Sequence, residues 1–352
     1  MPEFDFEKSL SCNIAGEAIF EAARKSDKVW GLTHDLGFIL AKLQELYPEQ
    51  CVDQAESEQS AVKLAAKLAR EGNKPFIFGK IPYLTTRAFE QIRNRICYQN
   101  LPVTIVGLGE GLIPTGGSVH NCIEDIGLMR SLINMSVVSV SDPRMINSFI
   151  QESLDFGSPL YIRQVDSNAS RYIYDDDRTD YPIGKGLVVR EGKDVTIITN
   201  GSFVCSALDA AEVVAEHDID VRIIDMYSIR PLDKELVLEA INEAHSIIIV
   251  EDHLKRGGLS SAIAELIIDK ETYPKHIIRM GIPDVIPDVI PDIFRGCDSE
   301  EMLREKCSFG SKAILRKIRE FAWPLGSEGW THHEKHPDKH PEKHPDKHHE
   351  KH

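Results

Sequence analysis

A chain of 352 residues, 42% of them hydrophobic, is long enough for about two domains of roughly 150 residues, each with its own core; a small disulfide-stapled scaffold and a disordered chain are both excluded. Its 41 basic and 56 acidic side chains leave a net charge of −15 with no long Lys/Arg block, which argues against nucleic acid as a partner. Seven singly scattered cysteines without a C-x-x-C pair, no signal peptide and no apolar run near the ~18 residues of a membrane helix predict a cytoplasmic protein in a reducing compartment, without membrane association.

Strand-like apolar runs alternate with segments of helical period. Helix 14–25 leads to strand 29–33, helix 57–70 to strand 75–78, helix 85–98 to strand 103–106 and helix 121–132 to strand 136–140, with a further strand at 159–164. The polar stretch 166–180, carrying Asp175, Asp176, Asp177 and Asp180, reads as an exposed linker. A second unit follows, with strands at 195–199, 221–225, 246–250 and 276–280 and helices at 202–216, 233–244, 259–268 and 308–321. The alternation predicts an α/β protein of two doubly wound, mostly parallel sheets. The expected spans are a first domain at 9–166, a linker at 167–184, a second domain at 185–324 and a disordered His-rich tail at 331–352.

In that tail a proline every four residues forbids a helix, and no apolar side chain is present to bury. Its histidines, His332, His333, His336, His340, His344, His348, His349 and His352, are candidate divalent-metal ligands, against the alternative of a solubilising tail with no specific role. Gly107, Gly109 and Gly111 lack the dinucleotide-binding spacing and precede no expected helix, so they read as a flexible substrate-side loop. The Ile-Pro-Asp-Val repeats at 282–292 read as a proline-stiffened loop.

The segment that carries chemistry is helix 57–70. Ala61, Val62, Ala65, Leu68 and Ala69 form one apolar stripe, and Glu58 stands three and four residues before the first two, on the buried side. Two readings stand side by side. An acid in the first turn can cap free backbone N–H groups; alternatively, a desolvated carboxyl can share a proton with a nitrogen base.

Here the sequence resembles a known family. DQAESEQSAVKLAAKLA at 53–69 resembles the segment of transketolases and related thiamine-diphosphate enzymes that carries Ala-Glu-Gln ahead of a helix. THDLG at 33–37, LTTRAFEQIRN at 84–94, HNCIEDIGLMR at 120–130, PLYIR at 159–163, SIRPLD at 228–233 and VEDHLKRGGLSSAIAE at 250–265 follow in the family's order, covering roughly 10–322. Of the family's three domains the resemblance reaches the pyrimidine-binding and C-terminal ones. The Gly-Asp-Gly followed by Asn that holds Mg²⁺ and diphosphate is not among these residues.

The resemblance therefore implies the C-terminal subunit of a split, transketolase-like enzyme. Thiamine diphosphate is the implied cofactor, with Mg²⁺ ligands on an N-terminal transketolase-like partner subunit and self-association in an α2β2-type assembly. Glu58 matches the glutamate that hydrogen-bonds the pyrimidine nitrogen opposite the amino group, where it promotes proton removal from the cofactor. His120 matches a substrate-side histidine, Arg163 an arginine at the substrate's charged end, and Asp35 a residue near the thiazolium ring. Lys80 stands where an aromatic would stack on the pyrimidine, leaving the flanking Phe78 or Tyr83 to take that part; His253 is expected to be structural. The arginine, serine and histidine positions that grip a sugar phosphate fall near Cys12, Phe38 and Gly109, and the loop before His120 reads PTGGSV without an aspartate. The leading expectation is two-carbon ketol transfer from a ketose to an aldehyde. The others are decarboxylation of a 2-oxo acid, as in oxo-acid dehydrogenase β subunits or deoxyxylulose-phosphate synthase, and a non-catalytic scaffold with a metal-buffering tail.

Overall fold

The computed structural model describes residues 10–53, 55–109, 111–112, 121–164, 172–174, 178–284 and 300–322. In chain order the elements are α1 (Leu10–Lys25), β1 (Val29–Thr33), α2 (Ala41–Leu46), β2 (Cys51–Val52), α3 (Glu58–Arg70), β3 (Lys74–Lys80), α4 (Phe89–Gln91), β4 (Thr104–Leu108), α5 (Asp125–Arg130), β5 (Ser136–Ser139), α6 (Met145–Phe156) and β6 (Leu160–Gln164). Then come β7 (Leu187–Arg190), β8 (Val195–Thr199), α7 (Phe203–Ala215), β9 (Val221–Asp225), β10 (Ser228–Arg230), α8 (Lys234–Glu243), β11 (Ser246–Leu254), α9 (Leu259–Lys270), β12 (His276–Ile282), α10 (Glu300–Lys306) and α11 (Ser311–Ala322).

The first sheet has the order β10-β5-β6-β4-β3-β1-β2 and is parallel except for β10, which runs antiparallel to β5. Its central strands are buried on both faces, as parallel strands covered by helices must be. On one face α1 and α6 enclose Ile19, Phe78, Val106, Phe149 and Ile162. On the other, the stripe of α3 packs with Ile92, Ile96, Ile77 and Ile105. The second sheet, β12-β11-β8-β9-β7, is parallel apart from β7 and is likewise covered by α7 and α11 on one face and α8 and α9 on the other. This is the doubly wound α/β architecture expected from the alternation.

Several elements differ from expectation. The helix expected at 85–98 is a run of three short pieces, Tyr83–Arg87, Phe89–Gln91 and Ile92–Cys97, with wide π-type turns at both ends. The helix expected at 121–132 narrows to α5. Helices α2, α6 and α10 and strands β2, β7 and β10 are additional to the expected elements. Strand β10 is the unexpected one in position: it belongs by sequence to the second unit yet completes the first sheet. Parts of the expected exposed linker are bound, since Ile173 and Tyr174 donate their N–H groups to Asp142 Oδ2 at 2.7 and 3.1 Å. The His-rich tail and most of the 282–292 repeat lie outside the described residues. Among the described residues no helix is long and apolar enough to cross a membrane, and none of the six cysteines, all buried, forms a disulfide.

Candidate cofactor site

Parallel strands bring all their carboxyl ends to one edge of a sheet, and α/β sheets take ligands there. At that edge of the first sheet stand Thr33 and the residues after it, Lys80 at the end of β3, and Gln164 at the end of β6. The approach to α3 is tied to the same edge: Ala55 N–H donates to Thr33 O at 2.9 Å, and His34 Nδ1 lies 2.7 Å from Ala55 O. Three residues after Ala55 comes Glu58.

Glu58 is 3% exposed, on the buried side of α3 as its spacing requires. The cap is provided by its neighbour. Ser57, in an extended conformation, accepts the Ser60 N–H at 3.2 Å. Glu58 Oε1 has no hydrogen-bond partner, and its nearest cation is Arg87 Nη1 at 3.9 Å. A buried, acceptor-only oxygen left without a donor is costly in an ordinary core, which is why such atoms call for a ligand or a water.

Among the other expected residues, Tyr83 approaches this carboxylate through Arg87, and two expectations are corrected. Asp35 Oδ2 is 3.4 Å from Lys80 Nζ, each side chain about one quarter exposed. Tyr83, half-buried, sits three residues beyond Lys80 with the Arg87 guanidinium over its ring. Phe78, expected as an alternative stacking residue, is 1% exposed in the core beneath the sheet with Ile19 and Phe149, so its ring has no face to offer a ligand. Alternation explains it: in β3, Phe78 and Lys80 share a face, and only Lys80 reaches past the strand end.

Arg163, expected at the substrate's charged end, is wholly buried. Its Nε donates to Asp125 Oδ2 at 2.8 Å, and its Nη2 donates to Cys122 O at 3.3 Å and Asp252 O at 3.0 Å. Tyr161 OH donates to the same Asp125 oxygen at 2.8 Å. This arginine thus ties the two sheets together rather than reaching a substrate. His120 lies outside the described residues; Cys122, two residues on, is pinned by Arg163 and by its own N–H to Gly111 O at 3.0 Å.

The expectation of a flexible loop at Gly107, Gly109 and Gly111 is corrected for its described part. Gly107 is a β4 residue, and a Cβ on Gly111 (φ +54°) would stand 2.0 Å from the Asp252 carboxyl carbon, so glycine is required where the second sheet closes on the first. His253, expected to be structural, is buried: its Nδ1 faces Leu254 O at 2.7 Å and its Nε2 accepts the Gly127 N–H at 3.1 Å, an assignment that places the ring proton on Nδ1. Sequence reasoning did not single out Arg87, Asp125 or Asp252; each lay inside a quoted motif without a chemical oddity to mark it.

The partnerless Oε1 is an acceptor suited to the ring N–H of a flat nitrogen heterocycle. Residues 11–170 match the family model of the transketolase pyrimidine binding domain, and residues 184–294 that of the transketolase C-terminal domain. One of the subunits of the apulose-4-phosphate transketolase of Phocaeicola vulgatus is 30% identical over 84% of this chain and 96% of its own length.

The chain belongs to the transketolase family.

Within this thiamine-diphosphate family it matches the pyrimidine-binding and C-terminal domains, in full-length enzymes and in separate C-terminal chains alike. A putative transketolase C-terminal section from Methanocaldococcus jannaschii is 31% identical over 87% of this chain and 94% of that protein. The solved structure of a split-gene transketolase, an inactive β4 tetramer, superposes with a TM-score of 0.76 at 30% identity, over 89% of this chain and 97% of that one. The 1-deoxy-D-xylulose-5-phosphate synthase of Caldanaerobacter subterraneus subsp. tengcongensis is 31% identical over 79% of this chain. The transketolase-family chain spans only 44% of that enzyme's length.

Proposed function

We propose that the chain is the pyrimidine-binding subunit of a thiamine-diphosphate enzyme that transfers a two-carbon ketol unit from a ketose to an aldehyde acceptor, acting with a separate N-terminal subunit. The observation that carries this is Glu58: a buried carboxylate with an oxygen lacking a hydrogen-bond partner, at the carboxyl edge of a parallel sheet, in a helix whose cap is provided by Ser57. Bound thiamine diphosphate supplies an electron sink for cleaving the C–C bond beside a carbonyl. Glu58 Oε1 holds and passes the proton shared with the pyrimidine nitrogen, and its burial keeps water from competing for it. Tyr83 supports the ring face. Asp35, paired with Lys80, is assigned to the thiazolium ring, and His120 to the substrate.

Magnesium and diphosphate are assigned to the partner subunit. Supporting this, the two domains that the chain matches are the pyrimidine binding and the C-terminal ones. The inactive state of the β4 tetramer formed by the split-gene relative supports the need for a partner and an α2β2-type assembly. A decarboxylating reading, on a 2-oxo acid donor, is favoured by the similarity to deoxyxylulose-phosphate synthases and by the loss of the expected sugar-phosphate contacts at Cys12, Phe38 and Gly109. Glu58 serves both chemistries alike. Mixing the chain with an N-terminal transketolase-like subunit and assaying ketose plus aldehyde against 2-oxo acid plus aldehyde separates them: release of CO₂ from the second mixture, with no product from the first, would replace ketol transfer by decarboxylation.

A further inference from the structure

Arg87 covers both surfaces that a pyrimidine would use. Its guanidinium lies 4.2 Å from the centroid of the Tyr83 ring, and its Nη1 is 3.9 Å from Glu58 Oε1. A guanidinium is a planar, delocalised group with N–H donors around its edge, and it stacks on aromatic faces. An aminopyrimidine offers the same combination of a flat face and an N–H edge. The backbone beneath is held, since Gln59 Nε2 donates to Arg87 O at 3.2 Å, but the side chain itself is 56% exposed, against 4% for Glu58. The contact to Glu58 is also too long for a hydrogen bond, so Oε1 keeps its unmet need for a donor.

We propose that Arg87 is an internal competitor of the cofactor ring: its head group occupies the pyrimidine site between Tyr83 and Glu58 and turns out into solvent when the ring enters. This rests on the reading of Glu58 as the pyrimidine contact. An exposed ion pair and a single cation–π contact together favour the closed arrangement by a factor of about 5 to 10. Affinity for the ring is reduced by the corresponding fraction. An arginine that instead helped to bind the cofactor would act with the opposite sign.

Thiamine is the probe, because it carries the aminopyrimidine without the diphosphate that the partner subunit would hold. Calorimetric titration of the full-length chain compares wild type, Arg87→Ala, Arg87→Lys and the double variant Arg87→Ala/Glu58→Gln, with melting temperatures recorded to verify folding. Arg87→Ala is expected to bind thiamine about 5- to 10-fold more tightly than wild type. Arg87→Lys, which keeps the charge but not the planar group, should fall between them, and the double variant should lose the gain. Binding by Arg87→Ala that is undetectable, equal to wild type or weaker overturns the competitor. A gain that survives Glu58→Gln overturns the reading of Glu58 itself, and the competitor with it.

Discussion

Ser57 does the capping that an acidic residue at a helix start can do, and Glu58 Oε1 is left without a donor. Ser57 caps, so replacing it with alanine should cost about 1 kcal/mol of stability while leaving thiamine affinity unchanged, as thermal unfolding and titration would together reveal. Asp225 gives the chain a pH signature. It is fully buried, which pushes its carboxyl up to about 7 against the pull of hydrogen bonds from Tyr174 OH at 2.5 Å and Ser141 Oγ at 2.9 Å. Between the ordinary carboxylate range and about 7 the folded chain holds a proton that the unfolded chain has released. Stability contributed here is therefore lost as pH rises through that window. Asp225→Asn should flatten the fall in urea midpoint between pH 5 and pH 7.5; an unchanged slope would assign it to other groups. At this scale the sequence was a partial guide. The helical stripe revealed that Glu58 is buried, because periodicity reports which side of a helix faces inward. It could not reveal that Arg163 is enclosed and Lys80 is not, since both stand at the carboxyl ends of parallel strands and only tertiary packing distinguishes them.

Among the elements, the core strands β1, β8 and β9 fall at their expected limits because apolar runs bounded by polar or glycine residues leave little choice of register. Strand β10 is the opposite case. Three residues, Ser228–Arg230, followed by a proline carry no strand signal, and their place in the first sheet depends on Val137 and Val138, some ninety residues away. Helix α6 was legible in principle, with buried Met145, Ile146, Phe149, Ile150 and Ser153 on one face, and its stop at Gly157 (φ +74°) is an ordinary left-handed C-terminus. Helix α5 is held at its first residue, Asp125, by Tyr161 and Arg163 from β6. Arg163→Met leaves that carboxylate buried without its cation and should destabilise the chain by about 3–5 kcal/mol in urea unfolding. Lys80→Met, at a partly exposed pair, should change stability by less than about 1 kcal/mol. Equal losses in the two variants would show that burial does not separate the clamp from the rim.

Across the whole molecule, the two sheets are joined by contacts that come from motifs of both units. Arg130 donates to Gly257 O at 2.5 Å and pairs with Glu265 at 2.7 Å, His253 accepts from Gly127, and a Cβ on Gly257 (φ +84°) would come within 2.9 Å of Gly127 Cα. The collinear order of those motifs was readable from sequence, whereas their convergence on one junction was not, because nothing local in either motif names its partner. The junction fixes α5 and Cys122 just ahead of it, so this part of the first sheet's edge and the second sheet form one mechanical unit. The central claim, that Glu58 is the proton-sharing partner of the cofactor ring in a two-subunit enzyme, is tested most directly by deuterium exchange at the cofactor's C2 position. With the chain reconstituted with an N-terminal transketolase-like subunit, thiamine diphosphate and Mg²⁺, Glu58→Gln should slow exchange by about 10²- to 10⁴-fold while the melting temperature stays close to wild type. Exchange at the wild-type rate, accompanied by a lowered melting temperature, would contradict the account and leave Glu58 as a structural residue of its helix.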